Sequence, residues 1–228
     1  MCAGRGSRLS PLTDDIPKAL VKIQDTSIIS WVMEPLFKSG FFNNYVVVTG
    51  WQEDKLIDYL TVDVNKSKKY KMQFSTGGPR GFNADLQAAG GFLEDEFFVV
   101  NGDTYCALNY PSMYAWHRYY RRHYQFPICS GLACMAVSKY GEHNVHVDNR
   151  RVYTVGEPNY TDAGVYVMKK SVLDNLNSSS DSVDFGSLGI DGSITAFNVS
   201  TFYDLGTFER IERFEQAYLT TKGACQEE

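Results

Sequence analysis

Ala3-Gly4-Arg5-Gly6-Ser7-Arg8-Leu9-Ser10-Pro11-Leu12-Thr13, running on to Pro17-Lys18, is the stretch on which the reading of this chain turns. Gly4 and Gly6 let the backbone turn tightly and approach a ligand with no side chain in the way. Arg8 and Lys18 add fixed positive charge on either side of that turn. Bare backbone N–H groups flanked by basic side chains suit anionic phosphate, so the loop predicts a nucleoside triphosphate site. It is not a P-loop, because no Gly-Lys-Ser/Thr closes it, and it lacks the G-x-G-x-x-G spacing of a dinucleotide fold.

Composition narrows the classes around this loop. At 228 residues, with 43% hydrophobic and 21% charged residues, the chain suits one soluble domain. A net charge of -5 argues against a nucleic-acid partner, which calls for a basic face. No stretch is long and apolar enough for a membrane span, and no signal peptide is visible at the start. Cys2, Cys106, Cys129, Cys134 and Cys225 include no C-x-x-C pair. They read as reduced thiols of a cytoplasmic protein, neither a zinc site nor a disulfide frame.

Beyond the loop, strands and helices alternate. Residues 26–39 carry Ile28, Ile29, Val32, Met33, Leu36 and Phe37 at helical spacing. Tyr45 to Thr49 is a continuous β-branched run, followed by a helix near 52–60, a strand at 71–75, a helix at 83–92 and the run Phe97-Phe98-Val99-Val100-Asn101. This order predicts a single Rossmann-like α/β/α sandwich with a mostly parallel mixed sheet and right-handed crossovers. Between 111 and 126, aromatic and basic residues interleave as they would on a surface stacking single-stranded nucleic acid. The preferred reading is an amphipathic helix packed on the sheet. Residues 143–155 read as a hairpin, residues 208–221 as a closing helix, and no internal repeat is visible.

Two carboxylates sit where ligands gather. Asn101-Gly102-Asp103 ends the most hydrophobic strand, and open α/β sheets bind ligands at the carboxyl ends of their strands. Phe202-Tyr203-Asp204-Leu205-Gly206-Thr207 repeats that arrangement before a helix. Converging, Asp103 and Asp204 would give Mg²⁺ the hard oxygen ligands it prefers. Separately, Asp103 reads as a turn residue and Asp204 as a helix cap.

Taken together, the loop, Val99-Val100-Asn101-Gly102-Asp103 and Phe202-Tyr203-Asp204-Leu205-Gly206-Thr207-Phe208-Glu209 resemble, in order, the three landmarks of the sugar-1-phosphate nucleotidylyltransferases. The resemblance runs from Ala3 to about Leu219, and Phe208 stands where proline is common. It implies the nucleotide-diphospho-sugar transferase fold over residues 1–228, without the β-helix domain appended to some relatives. It also implies a reaction in which a sugar 1-phosphate attacks the α-phosphorus of a nucleoside triphosphate and releases pyrophosphate. By this resemblance Arg8 and Lys18 are catalytic, Asp103 and Asp204 hold Mg²⁺, and Ala3, Gly4, Gly6, Ser7 and Asp103 contact the nucleotide. The family also has an apolar strand before the glycine loop, of which only Met1-Cys2-Ala3 stands here. Its near-absence predicts an exposed edge on the neighbouring parallel strand.

By the same resemblance the base is read from Ser75 to Asp85, with Thr76 and Gly81 as the contacts. The Thr76-Gly77 pair tilts the choice toward a pyrimidine, with CTP in view, and leaves guanine open. Glu157, Asp162 and Gly164 would meet the sugar. Gly156-Glu157-Pro158 stands where Glu-Lys-Pro is common, so the acceptor's phosphate needs another cation, and Arg150 and Arg151 are the candidates. Alternatives are a non-sugar acceptor such as phosphocholine, or a silent nucleotide-sugar-binding regulatory subunit. A glycosyltransferase would place a D-x-D pair where Asp103-Thr104-Tyr105 stands. Oligomeric state stays open, a homo-oligomer included.

Overall fold

Apolar runs without polar alternation need cover on both faces, and the chain provides it. The computed structural model describes residues 1–64, 69–78, 81–123, 133–153, 156–176 and 194–224. A short hairpin, β1 (Lys22–Ile23) and β2 (Thr26–Ser27), leads into α1 (Ile28–Ser39). Ser27 caps that helix by accepting from the Ser30 N–H at 3.2 Å, and Gly40 ends it in the left-handed conformation. Then β3 (Asn44–Thr49), α2 (Glu53–Tyr59), β4 (Lys71–Thr76), α3 (Phe82–Ala89) and β5 (Glu96–Val100) follow the predicted alternation. The remainder comprises β6 (Thr104–Cys106), α4 (Tyr110–His123), β7 (Ala133–Ser138), β8 (His146–Asp148), β9 (Arg151–Tyr153), β10 (Thr161–Lys169), β11 (Ile194–Asn198), β12 (Phe202–Asp204) and α5 (Phe208–Ala224).

The α/β class and the mixed sheet agree with the sequence, but the strand directions do not. β3 and β4 pair in parallel. In the six-stranded sheet, ordered β5-β10-β7-β11-β9-β8, only β7 and β11 are parallel, and the other ladders run antiparallel. Of these ladders only β8–β9 joins strands consecutive in the chain, as a hairpin, and the others pair strands distant in sequence.

Alternation along the central strands divides the core. Met135, Val137, Tyr166 and Met168 face one cluster with Leu86 of α3, while Cys134, Ala136, Val165 and Val167 face another with Tyr110 and Met113 of α4. The aromatic segment at 111–126 is therefore a packed helix over its described part, with His117 and Tyr120 also buried. Residues 124–126 lie outside the described residues, as do Cys129 and Cys225.

Met1 to Ala3 lie in line between β3 and β5. The terminal amine donates to the Val100 carbonyl at 2.9 Å, the Gly102 N–H to the Met1 carbonyl at 2.9 Å, and the Cys2 N–H to the Val48 carbonyl at 2.8 Å. Ahead of Met1 on that line, β3 and β5 face each other across a cavity of about 610 Å³ lined by Met33, Leu36, Val46, Val47, Phe98 and Val99.

Candidate functional site

Polyanions are held by groups on rigid mounts, and the opening loop is mounted from behind. Leu9, within the short helical turn Ser7–Leu9, is fully buried against Val21, Trp31, Leu205 and Phe214. Gly6 has φ +74°, and a Cβ there would stand 2.7 Å from Lys18 Cβ. Only glycine lets the Lys18 stem cross the turn so closely. The Thr13 hydroxyl closes the loop by donating to the Gly6 carbonyl at 2.9 Å. Gly4, Ser7 and Arg8 face solvent, and the Arg5 guanidinium lies 4.5 Å over the Trp51 ring.

Asp103 and Asp204 are brought side by side by β6 and β12. In that antiparallel pair Thr104 lies opposite Asp204, and the Leu205 N–H donates to the Asp103 carbonyl at 2.7 Å. The Lys18 ammonium donates to Asp103 Oδ2. Asp204 Oδ1 accepts from the Gly206 N–H at 2.7 Å, while Oδ2 accepts from Arg210 Nη1. At the point where a Gly206 Cβ would stand, Asp204 Oδ1 is 2.6 Å away, Arg8 Nη2 3.0 Å and Lys18 Nζ 3.1 Å. Residues from both ends of the chain therefore meet at one place, and a side chain at 206 would fill it.

Among the described residues no group of three or more His, Cys, Asp or Glu could hold a metal ion. Two adjacent carboxylates nevertheless fit a hard divalent cation that takes its remaining ligands from phosphate and water. Lys18 and Arg210 neutralise those carboxylates in this structure.

Next to this cluster lies the loop expected to read the base. Thr76 ends β4 and is exposed. The Gly77 N–H donates to the Thr49 carbonyl at 2.6 Å, and a Gly77 Cβ would stand 2.9 Å from Ala3 Cβ. The two glycine loops thus touch. The Gly78 N–H donates to Asp85 Oδ1 at 2.9 Å, and Gly81, at φ +90°, turns the chain into α3. Asp85, only 7% exposed, clasps this loop from the first turn of that helix. Sequence reasoning placed it in the loop stretch without that role.

On the acceptor side, Gly164 is packed as tightly as Gly206. At φ +65° a Cβ would stand 2.8 Å from both Asn101 Nδ2 and Thr104 Oγ1, and the Asn101 N–H donates to the Gly164 carbonyl at 2.9 Å. Asp162, expected as a sugar-hydroxyl acceptor, is engaged within the protein in this structure. Its oxygens accept from the Gly164 N–H at 2.8 Å and the Tyr166 hydroxyl at 2.5 Å, and burial pushes its carboxyl above the ordinary range. It braces the β10 irregularity that positions Gly164. Glu157 lies in the exposed loop 156–159, with its backbone carbonyl accepting from His146 Nδ1 at 2.8 Å.

Arg150, a candidate for the extra cation, is held on α4 in this structure. It donates to the Tyr120 hydroxyl at 2.9 Å and lies 5.1 Å over the Trp116 ring, on the α4 face. The further arginine at the aspartate pair is Arg210, which sequence reasoning missed. Its signal was a basic residue in the first turn of the closing helix, six residues after Asp204.

Comparison with known proteins matches the chain to a family. The family model described as nucleotidyl transferase matches residues 1–218. The bifunctional protein GlmU of Methanocaldococcus jannaschii is 29% identical over 104 residues, 45% of this chain and 24% of that protein. Mannose-1-phosphate guanylyltransferase catalytic subunit beta of Xenopus tropicalis is 24% identical over 223 residues, covering 90% of this chain and 60% of that protein. The chain thus spans about a quarter to three fifths of the length of these relatives. Among solved structures, HddC from Yersinia pseudotuberculosis complexed with GMP-PN superposes with a TM-score of 0.76 at 22% identity, covering 95% of this chain and 96% of that one. UDP-glucose pyrophosphorylase complexed with UDP-glucose gives 0.71 at 17% identity, covering 96% and 97%. Both likenesses establish the fold.

Proposed function

The chain belongs to the nucleotidyl transferase family, and from that premise we propose that it transfers a nucleoside monophosphate from a triphosphate to a sugar 1-phosphate, releasing pyrophosphate. The observation that carries this reading is the meeting of Arg8, Lys18 and Asp204 at Gly206, with Asp103 bonded to Lys18. Two positive side chains beside two carboxylates serve a reaction between polyanions. In-line positioning and charge neutralisation supply most of the rate in such transfers.

In this reading Gly4, Gly6 and Ser7 leave the loop open to the triphosphate, Arg8 holds the departing pyrophosphate and Lys18 the α-phosphate. Asp103 and Asp204 would hold Mg²⁺, which when bound neutralises phosphate charge. The acceptor phosphate is itself the nucleophile, so no side chain need remove a proton. Ala3 and Gly77 seat the nucleoside between the two glycine loops, with Thr76 and Gly81 at the base and Asp85 holding the loop in place. Gly164 brings β10 against the Asn101-Gly102-Asp103 turn, where the sugar would lie, with Glu157 at the outer rim.

The Thr76-Gly77 pair keeps CTP in view. A relative named as a guanylyltransferase and a neighbour holding GMP-PN put GTP beside it. Family membership favours this reading over phosphocholine transfer or a silent regulatory subunit. The test is a matrix of five nucleoside triphosphates against a panel of sugar 1-phosphates, read by pyrophosphate release. Turnover in at least one cell supports it, and intact nucleotide binding with no turnover in any cell moves the protein to the regulatory reading.

A further inference from the structure

A sugar 1-phosphate brings a dianion to a site already facing a triphosphate, so it needs a cation that the triphosphate does not occupy. Arg8 and Lys18 belong to the opening loop and face the triphosphate in the reading above. Arg210 enters from the opposite end of the chain, in the first turn of α5. Its Nη1 donates to Asp204 Oδ2, its Nη2 to Glu142 Oε2 at 3.1 Å, and the side chain remains 29% exposed.

Neither partner holds it permanently. Glu142 is 86% exposed, and an ion pair that open to solvent contributes little. Asp204 is one of the two carboxylates assigned to a divalent cation, whose charge competes directly with a guanidinium for the same oxygens. Arg210 is thus a planar fork of donors, beside the aspartate pair, whose present acceptors are one weak partner and one contested partner. A phosphate monoester presents the paired oxygens that such a fork binds best.

We propose that Arg210 is the acceptor-phosphate residue of this protein, resting on Asp204 and Glu142 until the sugar 1-phosphate arrives. The inference rests on the nucleotidylyltransferase reading and adds the residue that selects a phosphorylated acceptor. It also accounts for a second link: through Glu142 the same side chain ties the turn after β7 to α5, so acceptor binding at Arg210 would release that tie.

The test uses the full chain and two readouts. Calorimetric titration measures binding of glucose 1-phosphate and mannose 1-phosphate, and steady-state kinetics measures the KM of each substrate in the triphosphate pairing that gives turnover. Arg210→Ala is expected to weaken sugar-phosphate binding and raise its KM by about tenfold to a hundredfold, the scale of hydrogen bonds to a charged group. The triphosphate KM should stay within about twofold, and Arg210→Lys should recover part of the loss without the paired geometry. Glu142→Gln separates binding from a brace: it should leave acceptor affinity unchanged or improved.

Unchanged acceptor affinity in Arg210→Ala, or an equal loss in Glu142→Gln, overturns the assignment while leaving the transferase reading intact. Binding that depends on Arg210 in a protein that never releases pyrophosphate does the reverse. Failure of the wild-type chain to bind any sugar 1-phosphate of the panel, with or without triphosphate, overturns both.

Discussion

The Lys18 ammonium donates to Asp103 Oδ2, joining the phosphate-facing lysine of the opening loop to the carboxylate that ends β5's turn, 85 residues away. With side chains 13% and 29% exposed, the pair is partly shielded from bulk water. In the proposed reading Lys18 and a divalent cation would compete for Asp103 until a triphosphate draws the lysine away. Lys18→Met should tighten Mn²⁺ binding in the absence of nucleotide, measured by electron paramagnetic resonance, while lowering kcat by about a hundredfold to a thousandfold. Weaker Mn²⁺ binding in that variant would show that Lys18 does not compete.

Asp85 separates positioning of the base from chemistry. Its carboxylate accepts from the Gly78 N–H, and Gly77 packs against Ala3 on the other side. Asp85→Ala leaves that N–H without its acceptor and frees the loop, a loss of about 1–3 kcal/mol. The triphosphate KM should rise about tenfold or more with kcat little changed. A fall in kcat at constant KM would instead place Asp85 in the reacting centre.

Alkaline pH should erode the fold in a defined direction. Burial pushes the Cys106 and Cys134 thiols up to about 12 from 9.0. A folded-state value above the unfolded one gives stability that is fully present below about pH 9 and is lost as pH rises toward 12. The urea midpoint should hold between pH 7 and 8.5 and fall steadily above 9. It should fall less steeply in the Cys106→Ala/Cys134→Ala double variant. Cys2, half-buried, should react with thiol reagents before either.

Much of this arrangement was legible in the residues. Glycine at positions 4 and 6, paired apolar strands ending in Asp103, and Asp204 before a helix are local signals, and the structure joins Arg8, Lys18, Asp103 and Asp204. The direction of β10 was not legible. Its run Ala163-Gly164-Val165-Tyr166-Val167 is apolar on both faces, as a parallel strand would be, because α3 and α4 cover the sheet whichever way it runs. Arg210 was missed because its contact with Asp204 depends on how α5 leaves β12. Asp162 was read as an acceptor for sugar hydroxyls, and its bond from Tyr166, four residues on, depends on the β10 irregularity between them, which no local signal marks.

Transfer of label from an α-³²P nucleoside triphosphate to a sugar 1-phosphate, compared between the wild-type chain and Asp103→Ala, tests the central claim most directly. Wild-type protein should place the label in a nucleotide-sugar and release unlabelled pyrophosphate, with the variant slower by at least about a hundredfold yet still binding nucleotide without metal. Equal transfer by both proteins, or label that remains in the triphosphate with every acceptor, would contradict it.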